Sequence, residues 1–110
     1  MTIESTEKGA KVVLKVIGRM DAGQATAFED ACTAWVNQGR KCLIIDMSEL
    51  AYVSSMGLRS FVSIGKLLQE KGGTLRLSAV TGLVKQVFEI TRLTSVFPMH
   101  DTVEAALAEA

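Results

Sequence analysis

The sequence predicts a single α/β domain, built on a mixed, mostly parallel sheet of four to five strands with about four helices. Two observations support the fold class. The 110 residues suit one domain, and no linker or low-complexity segment divides residues 1–110. Short runs rich in β-branched residues also alternate with segments of helical apolar spacing, which favours crossover connections and parallel strands.

The first half of the chain predicts a hairpin, a helix and a central strand. Residues 12–17 are rich in β-branched side chains and predict a strand, which residues 3–6 can join across a turn at 7–10. Apolar residues recur at helical spacing over 24–38 and predict a helix. The nearly unbroken apolar run 41–47 is typical of a strand covered on both faces.

The second half predicts two strand–helix repeats. A helix is expected from about Met56 to the glycine pair at 72–73, followed by a strand over 74–79. A third helix is indicated by an apolar stripe, and a short apolar piece at 96–99 precedes a last helix over 102–110, with Asp101 and Glu104 as its cap. The stripe consists of Leu83, Val84, Val87, Phe88 and Ile90.

Composition excludes several classes of protein. Hydrophobic residues make up 48% of the chain, too many for a disordered segment. Twelve basic and twelve acidic residues give zero net charge, which argues against a nucleic-acid or polybasic membrane surface. No apolar run is long enough to span a bilayer, and the acidic N-terminus is unlike a signal peptide, so we expect a cytoplasmic protein. Cys32 and Cys42 are expected to be small buried hydrophobes.

Catalytic and metal motifs are weak. The only histidine, His100, has no second histidine or cysteine nearby, so we expect a solvated loop residue and no metal site. Ser55 and His100 could join an aspartate in a hydrolytic triad, but residues 53–57 lack the first glycine of the G-x-S-x-G elbow. A small serine hydrolase is therefore a minor hypothesis, and we expect no enzyme activity and no cofactor.

The informative segment is 46–58, where a polar turn leads into a serine pair at a helix start. One of Ser54 and Ser55 is expected to cap the helix. A phosphate on Ser55 would be stabilised by the free N–H groups there, and Arg59 lies one turn away as a partner for it or an ordinary surface residue. Gly57 indicates either the approach of another protein or tight internal packing.

These residues resemble a known family. Asp46-Met47-Ser48 followed by Ser54-Ser55-Met56-Gly57-Leu58 resembles the D-x-S…D-S-x-G-L signature of STAS domains, specifically the bacterial anti-sigma factor antagonists. Ile17-Gly18-Arg19-Met20-Asp21 is similar to the G-x-x-D segment of that family. The order of elements is similar as well, so the resemblance extends over about residues 3–107.

The resemblance implies partner switching. Members of the family bind a serine kinase that doubles as an anti-sigma factor, and the kinase releases them by phosphorylating one serine with its own ATP. A PP2C-type, metal-dependent phosphatase resets the switch. By position in the motif that serine is Ser55. From the balanced charge we expect no nucleic-acid or membrane partner. The alternative is a STAS module that is not phosphorylated and serves as a scaffold in a signalling or transport assembly.

The motif also suggests which residues form the site. Many family members have aspartate before the acceptor serine, and this chain has Ser54 there, so modification of Ser54 stays open. Met47 and Met99 are expected in the core, whereas Asp46 and Ser48 are expected to support the site structurally. The expected partner-binding residues are Met20, Asp21, Ser54, Ser55, Met56, Gly57 and Arg59.

Overall fold

The computed structural model describes residues 1–109 as six strands, four α-helices and one 3-10 turn. No helix among these residues is long and apolar enough to cross a membrane. The strands are β1 (Thr2–Lys8), β2 (Lys11–Met20), β3 (Cys42–Asp46), β4 (Leu50–Val53), β5 (Thr74–Ser78) and β6 (Met99–His100). The helices are α1 (Ala22–Asn37), α2 (Ser55–Glu70), α3 (Gly82–Ile90) and α4 (Val103–Ala108), with the 3-10 turn at Leu93–Ser95.

The sheet is mixed and mostly parallel, as predicted. Its strand order is β1-β2-β3-β5-β6, and β1 is the antiparallel member, paired with β2. β4 pairs in parallel with the end of β2, at Gly18–Met20, beyond the stretch of β2 that β3 occupies. The long β2 therefore carries two partners in succession along one side.

The strand count is larger than predicted. β4 escaped prediction because it has four residues and follows the polar turn directly, so it has too little length for a periodic pattern. The short strand expected at 96–99 lies instead at Met99–His100, because Phe97 turns into the core. His100 is accordingly a half-buried strand residue and not a solvated loop residue; its Nε2 is buried without a hydrogen-bond partner among the described residues.

The main core lies between the sheet and helices α1, α2 and α3. Three aromatic rings pack at its centre: Phe28 and Phe61 are tilted with centroids 4.7 Å apart, and Phe61 meets Phe88 edge to face at 5.4 Å. Cys32 is fully buried here as predicted, and burial raises the pKa of its thiol to about 12. Cys42, in contrast, is half-buried. Met47 is a core residue as expected.

The opposite face of the sheet is covered by α4. Ala106 packs there on Val13 and Ile44. Arg76 of β5 is buried beneath α4 and donates to the carbonyl of Ala106 at 2.8 Å. Lys11 donates to the carbonyl of Leu107 at 2.8 Å, so two cations hold the C-terminal end of this helix, where its dipole is negative.

Two local predictions in the second half are wrong. The cap of α4 is Thr102, whose hydroxyl accepts from the Ala105 N–H, and not Asp101. The apolar stripe of α3 is also narrower than expected. Val84 and Phe88 are buried, but Leu83 and Ile90 lie on the solvent side with 58% and 81% of their surface exposed.

Candidate functional site: the start of the second long helix

Three helices begin at one edge of the sheet. α1, α2 and α3 follow β2, β4 and β5, which run parallel within the sheet. The carboxyl ends of parallel strands meet at the same edge, so the three helix N-termini share it. N–H groups without intrahelical partners are concentrated at such ends. This edge is therefore the electropositive end of three helix dipoles.

Ser54 caps α2. Its Oγ accepts from the Gly57 N–H at 3.1 Å, and its backbone is extended, as an N-cap requires. Its carbonyl accepts from the Leu58 N–H at 2.9 Å, and its own N–H donates to the Met20 carbonyl at 2.8 Å. The expectation that one of the two serines caps the helix is confirmed, and the cap is Ser54.

Ser55 is the first residue of α2, one position before the predicted start at Met56. Its side chain is exposed, and its hydroxyl makes no hydrogen bond to any of residues 1–109. Met56 beside it has 45% of its surface exposed, and Arg59 is exposed one turn further along the helix. The exposed part of the site thus combines a free hydroxyl, an apolar side chain and a cation.

Asp21 caps the neighbouring helix α1. Its carboxylate accepts from the Gln24 N–H at 3.2 Å. Since the Ser54 N–H is bonded to Met20, the residue before Asp21, the two caps lie side by side at the ends of β2 and β4. The helices then pack together, and Ser60 of α2 donates to the Ala25 carbonyl of α1 at 3.3 Å. The structure therefore brings Asp21 to the Ser54–Ser55 surface.

Met20 and Gly57 do not belong to the exposed surface, which corrects two predictions. Met20 has none of its surface exposed, and Gly57 is buried as well. A Cβ on Gly57 would lie 2.7 Å from Cγ2 of Val53 and 3.0 Å from Sδ of Met20. Of the two roles left open for Gly57, internal packing is the one that this geometry explains. Met20 is the core residue against which it packs.

Asp46 and Ser48 form the turn that leads to β4. The Asp46 carboxylate accepts from the Ser48 N–H at 3.0 Å, an Asx-type turn. This is the structural role that the sequence suggested for the pair. In the same turn Glu49 forms an ion pair with Lys15 of β2, and its carboxylate raises the pKa of the Lys15 amino group.

Leu83 is the residue at this edge that the sequence analysis missed. It is the second residue of α3, and it is exposed where that helix begins. The sequence placed its side chain in the apolar stripe of this helix, with Val84 and Phe88. The signal available was its spacing from Val84 and Phe88: the two buried residues lie four apart on one face, and Leu83 lies off that face.

Comparison with known proteins identifies the family. The family model of the STAS domain matches residues 2–106. The chain belongs to the STAS domain family. The family resemblance seen in the motifs is therefore confirmed, and the mixed sheet is the fold of a STAS domain.

Several similar proteins carry the name anti-sigma factor antagonist. BtrV of Bordetella bronchiseptica, so named, is 34% identical over 91 residues, which cover 83% of this chain and 78% of BtrV. The anti-sigma factor antagonist of Mycobacterium paratuberculosis superposes with a TM-score of 0.87 at 26% identity, covering 96% of this chain and 90% of that one. Phosphorylated SpoIIAA of Bacillus shares the fold, with a TM-score of 0.77 at 18% identity and 96% coverage of both chains.

Proposed function

We propose that this STAS domain is an anti-sigma factor antagonist that binds a serine kinase of the anti-sigma type and is released when that kinase phosphorylates Ser55. The observation that supports it most directly is the free, exposed hydroxyl of Ser55 at a capped helix start. Proteins similar to this chain over most of their length are named for the antagonist function. The chain itself is a binding protein and a substrate, not an enzyme.

The unmodified site suits a protein partner. Met56 offers apolar surface beside Ser55, and Arg59 and Asp21 offer charges of opposite sign around it. Such a mixture, an adaptable apolar side chain with a polar rim, is typical of protein interfaces. Ser54 contributes by holding the helix start in shape, because its polar groups are already bonded within the domain.

Phosphorylation would change this surface in one step. The Ser55 Oγ attacks the γ-phosphorus of ATP, the bond from that phosphorus to the ADP oxygen breaks, and the hydroxyl proton passes to a base on the kinase. The product carries about 1.5 to 2 negative charges at neutral pH. A PP2C-type phosphatase would return the serine by hydrolysis. Because ATP is consumed, we place the cycle in the cytoplasm.

The energy needed for release is modest. Raising a dissociation constant about a hundredfold requires about 2.7 kcal/mol. A dianion that must be desolvated within a closed interface, next to the carboxylate of Asp21, supplies a penalty of that size.

The test combines mapping with binding. We expect a serine kinase of the anti-sigma type from the same organism, sought first among the neighbouring genes, to add one phosphate at Ser55 when ATP is supplied, as mapped by mass spectrometry. The purified phosphoprotein should bind that kinase about a hundredfold more weakly by calorimetry. Ser55→Ala should bind whether or not ATP is present. An unmodified chain that binds equally well in both conditions would contradict the proposal and favour a scaffold.

The geometry around Ser55 does not support the hypothesis of a serine hydrolase. Within residues 1–109 the Ser55 hydroxyl has no bond to histidine, and His100 lies on β6, which pairs only with β5 in the described sheet. We therefore expect no hydrolysis of p-nitrophenyl esters above buffer. Activity that disappears in Ser55→Ala would revive that hypothesis.

A further inference from the structure

Two serines stand side by side at the start of α2, and a kinase that reaches this edge meets both. The proposed function requires phosphate on one of them. Their side chains have the same chemistry, so local sequence does not discriminate between them. The hydrogen bonding and the exposure of the two hydroxyls, however, are different.

The Ser54 hydroxyl is engaged. Its Oγ accepts from the Gly57 N–H at 3.1 Å, and the residue is half-buried. Its N–H and carbonyl are tied to Met20 and Leu58 at 2.8 and 2.9 Å. Phosphoryl transfer to this oxygen would require a lone pair that does not accept from Gly57. It would also require the serine to leave the three hydrogen bonds made by its hydroxyl, its N–H and its carbonyl. Opening a cap alone reduces the reactive population about fivefold.

The Ser55 hydroxyl is not engaged. It belongs to the first helical residue, its side chain is exposed, and it makes no hydrogen bond within residues 1–109. Its backbone is nevertheless held, since the helix that contains it starts from the Ser54 cap. The nucleophile is thus free while its position is fixed, which is the combination that favours phosphoryl transfer.

We propose that Ser54 is a positioning residue that directs phosphorylation to Ser55 and is not an acceptor itself. This inference rests on the proposed function. Ser54 acts through its hydrogen bond to Gly57, which holds the first turn of α2 in the conformation that presents the neighbouring hydroxyl. In the transfer, ATP loses its γ-phosphoryl group to the Ser55 Oγ, ADP leaves, and the proton goes to the kinase.

The first experiment locates the phosphate. Wild type and Ser55→Ala are incubated with ATP and the same anti-sigma-type serine kinase, and the phosphorylated positions are mapped by mass spectrometry. Phosphate on Ser55 in wild type, and none on either chain at Ser54, supports the inference. Phosphate on both serines of wild type, or on Ser54 in Ser55→Ala, overturns the inference alone, because Ser55 can still carry the switch. A wild-type chain with no phosphate on either serine overturns the proposed function together with the inference.

The second experiment tests positioning. Asparagine caps helices as well as serine, whereas alanine does not. We expect kcat/KM for phosphorylation of Ser55 to fall about fivefold in Ser54→Ala and to stay at the wild-type value in Ser54→Asn. Exchange of the Gly57 amide, followed by NMR without kinase, should be faster in Ser54→Ala and restored in Ser54→Asn. Equal rates of phosphorylation in all three chains would overturn the positioning role.

Discussion

The N-termini of α1 and α2 lie side by side, and both helices need a cap for the unpaired N–H groups of the first turn, but only one of them exposes a hydroxyl next to its cap. Each has four N–H groups without helical partners, and each is capped by a side chain in an extended backbone conformation, Asp21 in one and Ser54 in the other. After the cap, α1 continues with Ala22, which carries no chemistry, and α2 continues with the free hydroxyl of Ser55.

The two starts also differ in how tightly they are packed. Gly23 of α1 is exposed, and a Cβ there would meet only the Asp21 carboxylate at 3.6 Å. Gly57 of α2 is pressed against Val53 and Met20. Capping is therefore a structural need common to both helices, whereas the modifiable surface needs a rigid support beneath an exposed hydroxyl. Only α2 has both.

The largest expected effect is on kinase binding, and it should arise from a charge at Ser55 but not from a charge elsewhere on α2. Ser55→Glu places a charge at the site, and we expect it to weaken kinase binding by about 2.7 kcal/mol, or about a hundredfold, by calorimetry. Ser63 is the matched control, since it is an exposed serine of the same helix about 12 Å along the axis. Ser63→Glu should bind like wild type. Equal weakening by both variants would point to a general effect of charge.

The second prediction tests the packing difference between the glycines. Gly57→Ala forces a methyl group against Cγ2 of Val53, a β-branched side chain that moves little, so we expect the free energy of unfolding to fall by about 1–3 kcal/mol in urea denaturation. Gly23→Ala should raise it by about 0.5–1 kcal/mol, because alanine favours a helix and has room. Stabilisation by both substitutions would show that Gly57 is not closely packed.

The third prediction tests whether the two caps are equivalent as caps. Ser54→Ala leaves the Gly57 N–H without its acceptor, and Asp21→Ala does the same to the Gln24 N–H. Each change should lower the free energy of unfolding by about 1 kcal/mol in thermal or urea unfolding. A chain unaffected by Ser54→Ala would contradict the role of its hydroxyl as the cap.

The smallest expected effect isolates the charge of Asp21. Asparagine keeps the cap, so Asp21→Asn should lose only the charge–dipole interaction, about 0.3–1 kcal/mol at low ionic strength. This loss of stability should become smaller in about 1 M NaCl, because salt ions then screen the interaction between the carboxylate and the helix dipole. Ser54→Asn removes no charge and should show no such dependence on salt. A salt-independent loss in Asp21→Asn would mean that the carboxylate acts by geometry alone.

Much of the site was predictable because caps and turns are local. The polar turn at Asp46, the serine cap and the helix that follows depend on residues within a few positions of one another. The sequence could not predict which of Ser54 and Ser55 is the cap, because both have the same side chain. Only the hydrogen bonds of the first turn show at which residue the helix begins. β4 was missed for a similar reason: four residues are too few for a pattern, and the strand is defined by its pairing with β2.

The sequence by itself determined that the chain is one α/β domain, that a serine pair opens its second long helix, and that its motifs resemble those of STAS domains. These follow from periodicity, capping and the order of residues, which act over short distances along the chain. Only the tertiary structure decided that Asp21 lies beside Ser54, that Met20 and Gly57 are buried, and that Leu83 is exposed at the same edge. Those outcomes depend on pairing between β2 and β4 and on packing between helices and sheet, and such contacts join residues far apart in the chain.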